Sequence, residues 1–320
     1  MKESRYASIE NFVELAMRNQ LLLETEGRIA NVKDRVTKGI ADSDELQLSI
    51  PKQEPRVSSA LPLTENIRNM PIWGQVNRLA PSKFVVRLLL NSLVSSDEKS
   101  IDLKRFSAEA AEKATEFRLF LKKRDKTNRI RGTELYVAFS KRDPSSQQRF
   151  LNYYVGKASS QKWTDSVLTG LSFANIKETD EGAVVIELAE PGLQFAILHS
   201  PLIDDFFLDG KQIASSFSDE ETSFLLEHIR NTRPGEYDFL RYTLASIKKG
   251  ADTPTKLKDK VNEFLKGRDL GFKFSEKVAI TMQIGATGRL IELGLLKIEK
   301  QAQKSKYVAS EKGENLVGKL

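Results

Sequence analysis

A short pattern that recurs along the chain constrains its fold more than any other feature. In the clearest copy, a segment with helical spacing ends at Gly294, and a strand, a polar turn over 301–306 and a second strand from Tyr307 follow. The apolar residues of that segment are Ala286, Leu290 and Leu293. Glycine directly after a last helical turn is typical of a helix end. The pattern therefore predicts a helix packed on a core, followed by a β-hairpin.

The pattern occurs in two further places. The second copy runs through 167–177, turns at Glu178–Gly182 and continues as a strand from Ala183. Asp-Glu-Gly between β-branched runs is good chemistry for a tight turn. A weaker third copy covers 12–31. In the two clear copies a glycine, Gly192 or Gly313, then opens a short helix.

A helix ending in Leu-Gly-Leu, then a hairpin and a glycine, resembles the third helix and wing of winged helix-turn-helix proteins. The resemblance covers about 85 residues at the C-terminus and about 110 in the middle, and it implies a third helix suited to the DNA major groove. It implies a mainly α fold with small β-hairpins (α+β), built from tandem winged-helix units of which the middle one is elaborated.

Upstream of the last hairpin, the sequence predicts the three helices that such a unit needs. One starts at Glu236 and stops at Gly250, and a second is capped by Thr253 with Pro254 in its first position. Ser275 caps the third, Glu276 to Leu293.

The middle unit is less regular. Its expected elements are a helix from Pro81 to Val94, a helix capped by Ser107 and ending near Lys123, a strand from Glu134 to Phe139, a helix from Pro144 to Val155, and a third helix from Ser160. A simple three-helix unit has no place for that strand, so we expect an elaborated domain.

These elements divide the chain into five parts. We expect a partial winged-helix-like unit in 1–40, a proline-containing linker in 41–70, the elaborated unit in 71–200, a connecting helix in 201–233 and the last unit in 234–320. Within 201–233, Ser218 followed three residues later by Glu221 fits a capping box.

Composition narrows the class of protein. The chain has no cysteine, no apolar leader at its start and no run near the ~20 apolar residues of a membrane span. A cytoplasmic protein without membrane contact is expected. Charge is uneven: 17 basic against 9 acidic residues give +8 in 71–156, 6 against 13 give −7 in 157–233, and 17 against 11 give +6 in 234–320. The basic parts suit a polyanion.

The sequence lacks the residue patterns that are typical of a catalytic site. The run from Gly285 to Gly288 is too short for a phosphate loop and falls inside a helix, where we expect its glycines to admit another backbone. His199 and His228 lack ligand spacing, and Asp204-Asp205 is one pair without a supporting cluster. Trp73 fits either a core anchor or a base-stacking residue. A non-enzymatic protein without metal or cofactor is expected.

The candidate nucleic-acid-binding residues form two groups. Lysines on a projecting hairpin replace counterions along a phosphate backbone, and few of the residues here read bases, so contacts independent of sequence are expected. The first group, expected on the exposed face of the last helix and on its hairpin, is Lys277, Thr281, Arg289, Lys297, Lys300, Lys304 and Lys306. The second, in the middle unit, is Lys122, Lys123, Arg124, Lys126, Arg129 and Arg131, which are equally typical of a solvated loop.

Two functions follow from this distribution. The first is a DNA-binding protein that contacts double-stranded DNA, either a transcription regulator or the DNA-holding subunit of a genome-defence or repair complex. The second is a scaffold whose winged helices hold proteins. The acidic middle hairpin, with Glu178, Asp180, Glu181, Glu187 and Glu190, repels phosphate and favours a protein partner or self-association.

Overall fold

A computed structural model describes residues 48, 50–51, 55–128, 135–156, 166–205, 216–268, 275–301 and 304–318. In these residues the protein is mainly helical, with two small antiparallel sheets. The expected unit in 1–40, including the third copy of the pattern, lies outside the described residues, as do most of 41–54 and residues 157–165. The prediction of a helix running on from Ser160 is wrong, because the helix before the first hairpin begins only at Val167, after Ser166 in an extended cap conformation.

The middle part begins with helices and ends in a three-stranded sheet. Its elements are α1 (Glu65–Asn69), α2 (Ala80–Ser96), β1 (Ile101–Asp102), α3 (Leu103–Asn128), a 3-10 turn (Leu135–Ala138), α4 (Pro144–Phe150) continuing as a π-helical turn (Leu151–Val155), α5 (Val167–Gly170), β2 (Ala174–Glu178), β3 (Val184–Leu188) and α6 (Glu190–Ile197).

The C-terminal part repeats this order in a simpler form. Its elements are α7 (Asp219–Thr232), α8 (Pro234–Lys248), α9 (Pro254–Lys266), α10 (Glu276–Glu292), β4 (Leu296–Gln301), β5 (Lys304–Ala309) and α11 (Glu311–Val317). In both parts a helix, a short extended piece and a second helix precede a last helix, a hairpin and a short closing helix.

The two sheets are built alike. In the first, β3 lies between β2 and β1, with Ala174 opposite Leu188 and Ile101 opposite Ile186. In the second, β4 pairs with β5 in the register that sets Ile298 opposite Tyr307. The outer edge of β5 receives the extended piece between α8 and α9, because the Tyr307 amide donates to the Asp252 carbonyl at 2.8 Å.

Local signals predicted most of the helix ends correctly. Ser275 accepts a hydrogen bond from the Val278 amide, Ser218 and Glu221 form the expected capping box, and Gly294 adopts a φ of 68° at the end of α10. The left-handed conformation costs glycine little, so the chain turns there into β4. Thr253 occupies the predicted cap position of α9, but its side chain makes no capping hydrogen bond.

Two further expectations for the middle part are wrong. Residues 135–138 form a 3-10 turn rather than a strand, because Leu135 and Phe139 are both buried in the core and Arg118 holds the carbonyls of Tyr136 and Phe139. The long helix starts at Leu103 rather than after Ser107. Its cap is the Asp102 carboxylate, which accepts the Arg105 amide at 2.8 Å.

Candidate nucleic-acid interface

Helix α10 carries three of the predicted binding residues, and the structure separates them. Lys277 is exposed, Thr281 is half-buried and Arg289 is completely buried. The expectation that Arg289 lies on an exposed face is therefore wrong. Its guanidinium forms an ion pair of 2.8 Å with the buried Glu236 carboxylate of α8 and donates to the Val76 carbonyl at 2.5 Å.

The chain's own segment 69–80 covers that face of α10, and we call it the covering segment. Its backbone runs so close that a Cβ added to Gly285 would lie 2.5 Å from the Gly74 Cα, and one added to Gly288 would lie 2.2 Å from the Asn77 carbonyl oxygen. The interpretation of these glycines as points of close backbone approach is thus confirmed. Trp73 packs half-buried against the core.

Two buried carboxylates hold the amides of the covering segment. Glu236 accepts the Ile72 amide at 2.7 Å, and Glu292 accepts the amides of Leu79 and Ala80, the latter at 3.1 Å. Burial raises the pKa of the Glu292 carboxyl, against the lowering effect of Arg78 nearby. These side chains hold the protein's own backbone, so this face of α10 is engaged in folding rather than open to a base.

The exposed side of α10 carries two isoleucines, which the sequence reasoning missed. Ile280 and Ile284 are 40% and 49% exposed, and Ile298 on β4 is 49% exposed. Ile298 pairs across the strands with Tyr307, whose hydroxyl accepts a hydrogen bond from Gln283 of α10 at 3.1 Å. Ile280 and Ile284, one helical turn apart on α10, form an exposed apolar patch that is here called the isoleucine surface. In the sequence, this patch was indicated by two isoleucines, four residues apart on α10, that the core does not need.

The lysines of the hairpin differ in their surroundings. Lys297 is exposed, whereas Lys306 is half-buried and lies 3.0 Å from the Asp252 carboxylate, whose pKa the hydrogen bond from Lys306 lowers. Lys300 and Lys304 lie in β4 and β5, next to the turn, and their side chains fall outside the described part.

The second basic group is described only at its start. Lys122 and Lys123 are exposed near the end of α3. Arg124 and Lys126 belong to the helix, with side chains outside the described part, and Arg129 and Arg131 lie outside the described residues altogether.

The middle hairpin exposes fewer acidic side chains than its sequence suggests. Glu178, Asp180 and Glu181 are set around its turn, and Glu190 is exposed at the start of α6. Glu187 is buried. Its carboxylate receives Lys177 and the Ser58 hydroxyl, each at 2.6 Å, because residues 58–61 lie across this side of the hairpin.

The remaining polar candidates have structural partners. Asp204 binds Arg87 and accepts the Ser200 amide at 2.7 Å, which ties the end of α6 to α2. His228 bonds the Leu171 carbonyl at 2.6 Å, and His199 lies 3.2 Å from Asp205. Within the described ranges, no group of three or more His, Cys, Asp or Glu is arranged to hold a metal ion.

Comparisons with protein families, with curated proteins and with solved structures find no match for this chain. No helix in the part of the chain that the structure describes is long and apolar enough to cross a membrane.

Proposed function

We propose that this protein is a non-enzymatic DNA-binding protein, built from tandem winged-helix units, that holds double-stranded DNA through its phosphate backbone. The observation that carries the proposal is the lysine-bearing hairpin at the C-terminus. It is a two-stranded ribbon that exposes Lys297 and brings Lys300 and Lys304 to its turn. A cationic ribbon replaces the counterions of a polyphosphate wherever it lies along the duplex.

Support for the winged-helix interpretation comes from the repeated order of elements. In each part the last helix leads directly into a hairpin, and an extended piece after the first helix adds to the second hairpin strand, as Ile101 does on Ile186. Because Arg289 is buried, it is not available to contact bases from α10. We therefore expect contacts that do not depend on the DNA sequence.

The test is duplex binding over a range of salt concentrations. Reversing Lys297, Lys300, Lys304 and Lys306 to Glu should weaken binding to unrelated duplexes alike. It should also flatten the plot of log K against log salt by about 0.9 for each phosphate that the protein no longer neutralises. The matched control reverses the four α9 lysines, Lys256, Lys258, Lys260 and Lys266, which changes the net charge equally. Equally weakened binding in both variants, or no binding by the unaltered protein at low salt, would reject the proposal.

A protein-scaffold function is the second candidate, and the isoleucine surface favours it. Isoleucines exposed in one patch on a would-be recognition helix suit a protein better than a duplex. The variant Ile280→Ser/Ile284→Ser separates the two functions. If the protein is a scaffold, this variant loses the protein complexes that survive nuclease treatment. If the protein only binds DNA, the variant binds duplex DNA as the unaltered protein does.

A further inference from the structure

One lysine of the C-terminal hairpin is already engaged by a carboxylate of the protein itself. Lys306 of β5 lies 3.0 Å from the carboxylate of Asp252, which stands just before the cap residue of α9. The Asp252 carbonyl also accepts the amide of Tyr307, the residue after Lys306, at 2.8 Å. Because this backbone bond ties the two segments together at that point, the fold itself holds the carboxylate beside the lysine.

Lys306 lies on a face of the hairpin that also exposes a second lysine. The register sets Glu299 of β4 opposite Lys306, and Lys297 comes two residues before Glu299. Paired residues of neighbouring strands share a face, and so do residues two apart along one strand. Lys297, Glu299 and Lys306 therefore lie on one face, where Lys297 and Glu299 are exposed. A phosphate backbone that meets this face finds Lys297 exposed and Lys306 already paired.

The pair of Lys306 and Asp252 is one that a phosphate can open. The two side chains are 43% and 18% exposed, so water and salt reach them, and ion pairs of this kind contribute little stability. Asp252 also has a second partner, because the Lys256 Nζ lies 3.4 Å from its other carboxylate oxygen. When Lys306 turns to a phosphate, the Asp252 carboxylate therefore keeps an ion pair and its contact with water.

We propose that Asp252 is an autoinhibitory residue, which competes with DNA phosphate for Lys306 and thereby limits the affinity of the β4–β5 hairpin for duplex DNA. The inference rests on the proposed function and adds to it a residue that opposes binding. Even after Lys306 has turned to a phosphate, the negative charge of Asp252 stays close enough to repel that phosphate. Removal of the carboxylate should therefore strengthen binding, and general damage to the fold would not have that effect.

The experiment compares the full chain with its Asp252→Asn variant, using a fluorescent duplex of arbitrary sequence and anisotropy over a range of salt concentrations. Asp252→Asn should bind about threefold or more tightly at ~50 mM salt, with a plot of log K against log salt that is steeper by about 0.9, as for one further phosphate neutralised. The matched control is Asp238→Asn, which changes the net charge equally. Its partner Arg268 lies beyond the other end of α9, roughly 20 Å along the helix and further than the Debye length, so binding should stay within about twofold.

A second pair of variants tests whether the effect acts through Lys306. When Lys306→Gln is present, adding Asp252→Asn should change the affinity by at most about twofold, because the lysine for which Asp252 competes is gone. Circular dichroism checks that every variant is folded. Duplex binding that Asp252→Asn leaves unchanged or weakens, or a gain of the same size in the Lys306→Gln background, would overturn this proposal alone. A complete lack of duplex binding by the unaltered protein would overturn the proposed function together with it.

Discussion

His228 illustrates how a single side chain gives the fold a pH dependence. Its ring stacks against Phe173 and Phe224, with centroids 5.1 and 5.6 Å away, and its Nε2 donates to the Leu171 carbonyl. Burial lowers the pKa of the imidazole below its ordinary 6.5, although the bond to Leu171 opposes this. The folded state therefore holds a neutral ring while the unfolded chain binds a proton, and stability falls as the pH drops below 6.5.

We predict that His228→Phe removes this pH-dependent fall in stability. Phenylalanine keeps the stacking and cannot titrate, at a cost of about 1 kcal/mol for the missing hydrogen bond at neutral pH. Urea unfolding at a series of pH values between neutral and mildly acidic measures the change in slope. His199→Phe, at the exposed histidine, is the control for the loss of a histidine as such. An unchanged slope in His228→Phe would contradict the assignment.

Among the elements, α10 shows very close packing against another part of the chain. The covering segment replaces what would be solvent on one face, and its backbone approaches α10 at glycines, which have no side chain to obstruct it. We predict that Gly285→Ala destabilises the protein by about 1–3 kcal/mol, because its Cβ would overlap the Gly74 backbone and neither side can yield. Chemical denaturation measures this.

Gly267→Ala at the end of α9 is the matched control. There the nearest atom to an added Cβ is the Glu263 carbonyl oxygen at 3.4 Å, so the substitution should change stability by less than about 0.5 kcal/mol. Equal effects at the two glycines would mean that the covering segment is not in contact with α10.

The sequence predicted the ends of helices and the two hairpins better than it predicted contacts between distant parts of the chain. Caps and stops such as Ser275, Ser218 and Gly294 are signals within a few residues, and the two hairpins follow from alternating strands around polar turns. The strand expected from Glu134 to Phe139 failed because Arg118, on another element, stabilises a turn there. Arg289 was misplaced for a similar reason: the covering segment lies far earlier in the chain, and no local pattern reveals it.

On the scale of the whole molecule, the middle and C-terminal parts share one apolar core. The covering segment joins them on one side. On another side, Lys83 of α2 lies 3.1 Å from Glu221 of α7, and the segment before α7 is held on α10 by the Phe217 amide, which donates to the Glu292 carbonyl at 2.7 Å. Because these links are buried, we expect the two parts to unfold together rather than as independent domains.

Arg289→Met tests that coupling. The substitution leaves the Glu236 carboxylate buried without its partner and frees the carbonyls of the covering segment, which should cost about 3–5 kcal/mol. Arg268→Met, which removes an ion pair that is substantially exposed at 30% and 49%, should cost less than about 1 kcal/mol. Hydrogen exchange followed by mass spectrometry distinguishes the outcomes. If the parts are coupled, Arg289→Met lowers the protection of α2 and α3 as much as that of α8 and α10. Reduced protection confined to α8–α11 would show that each part keeps its own stability.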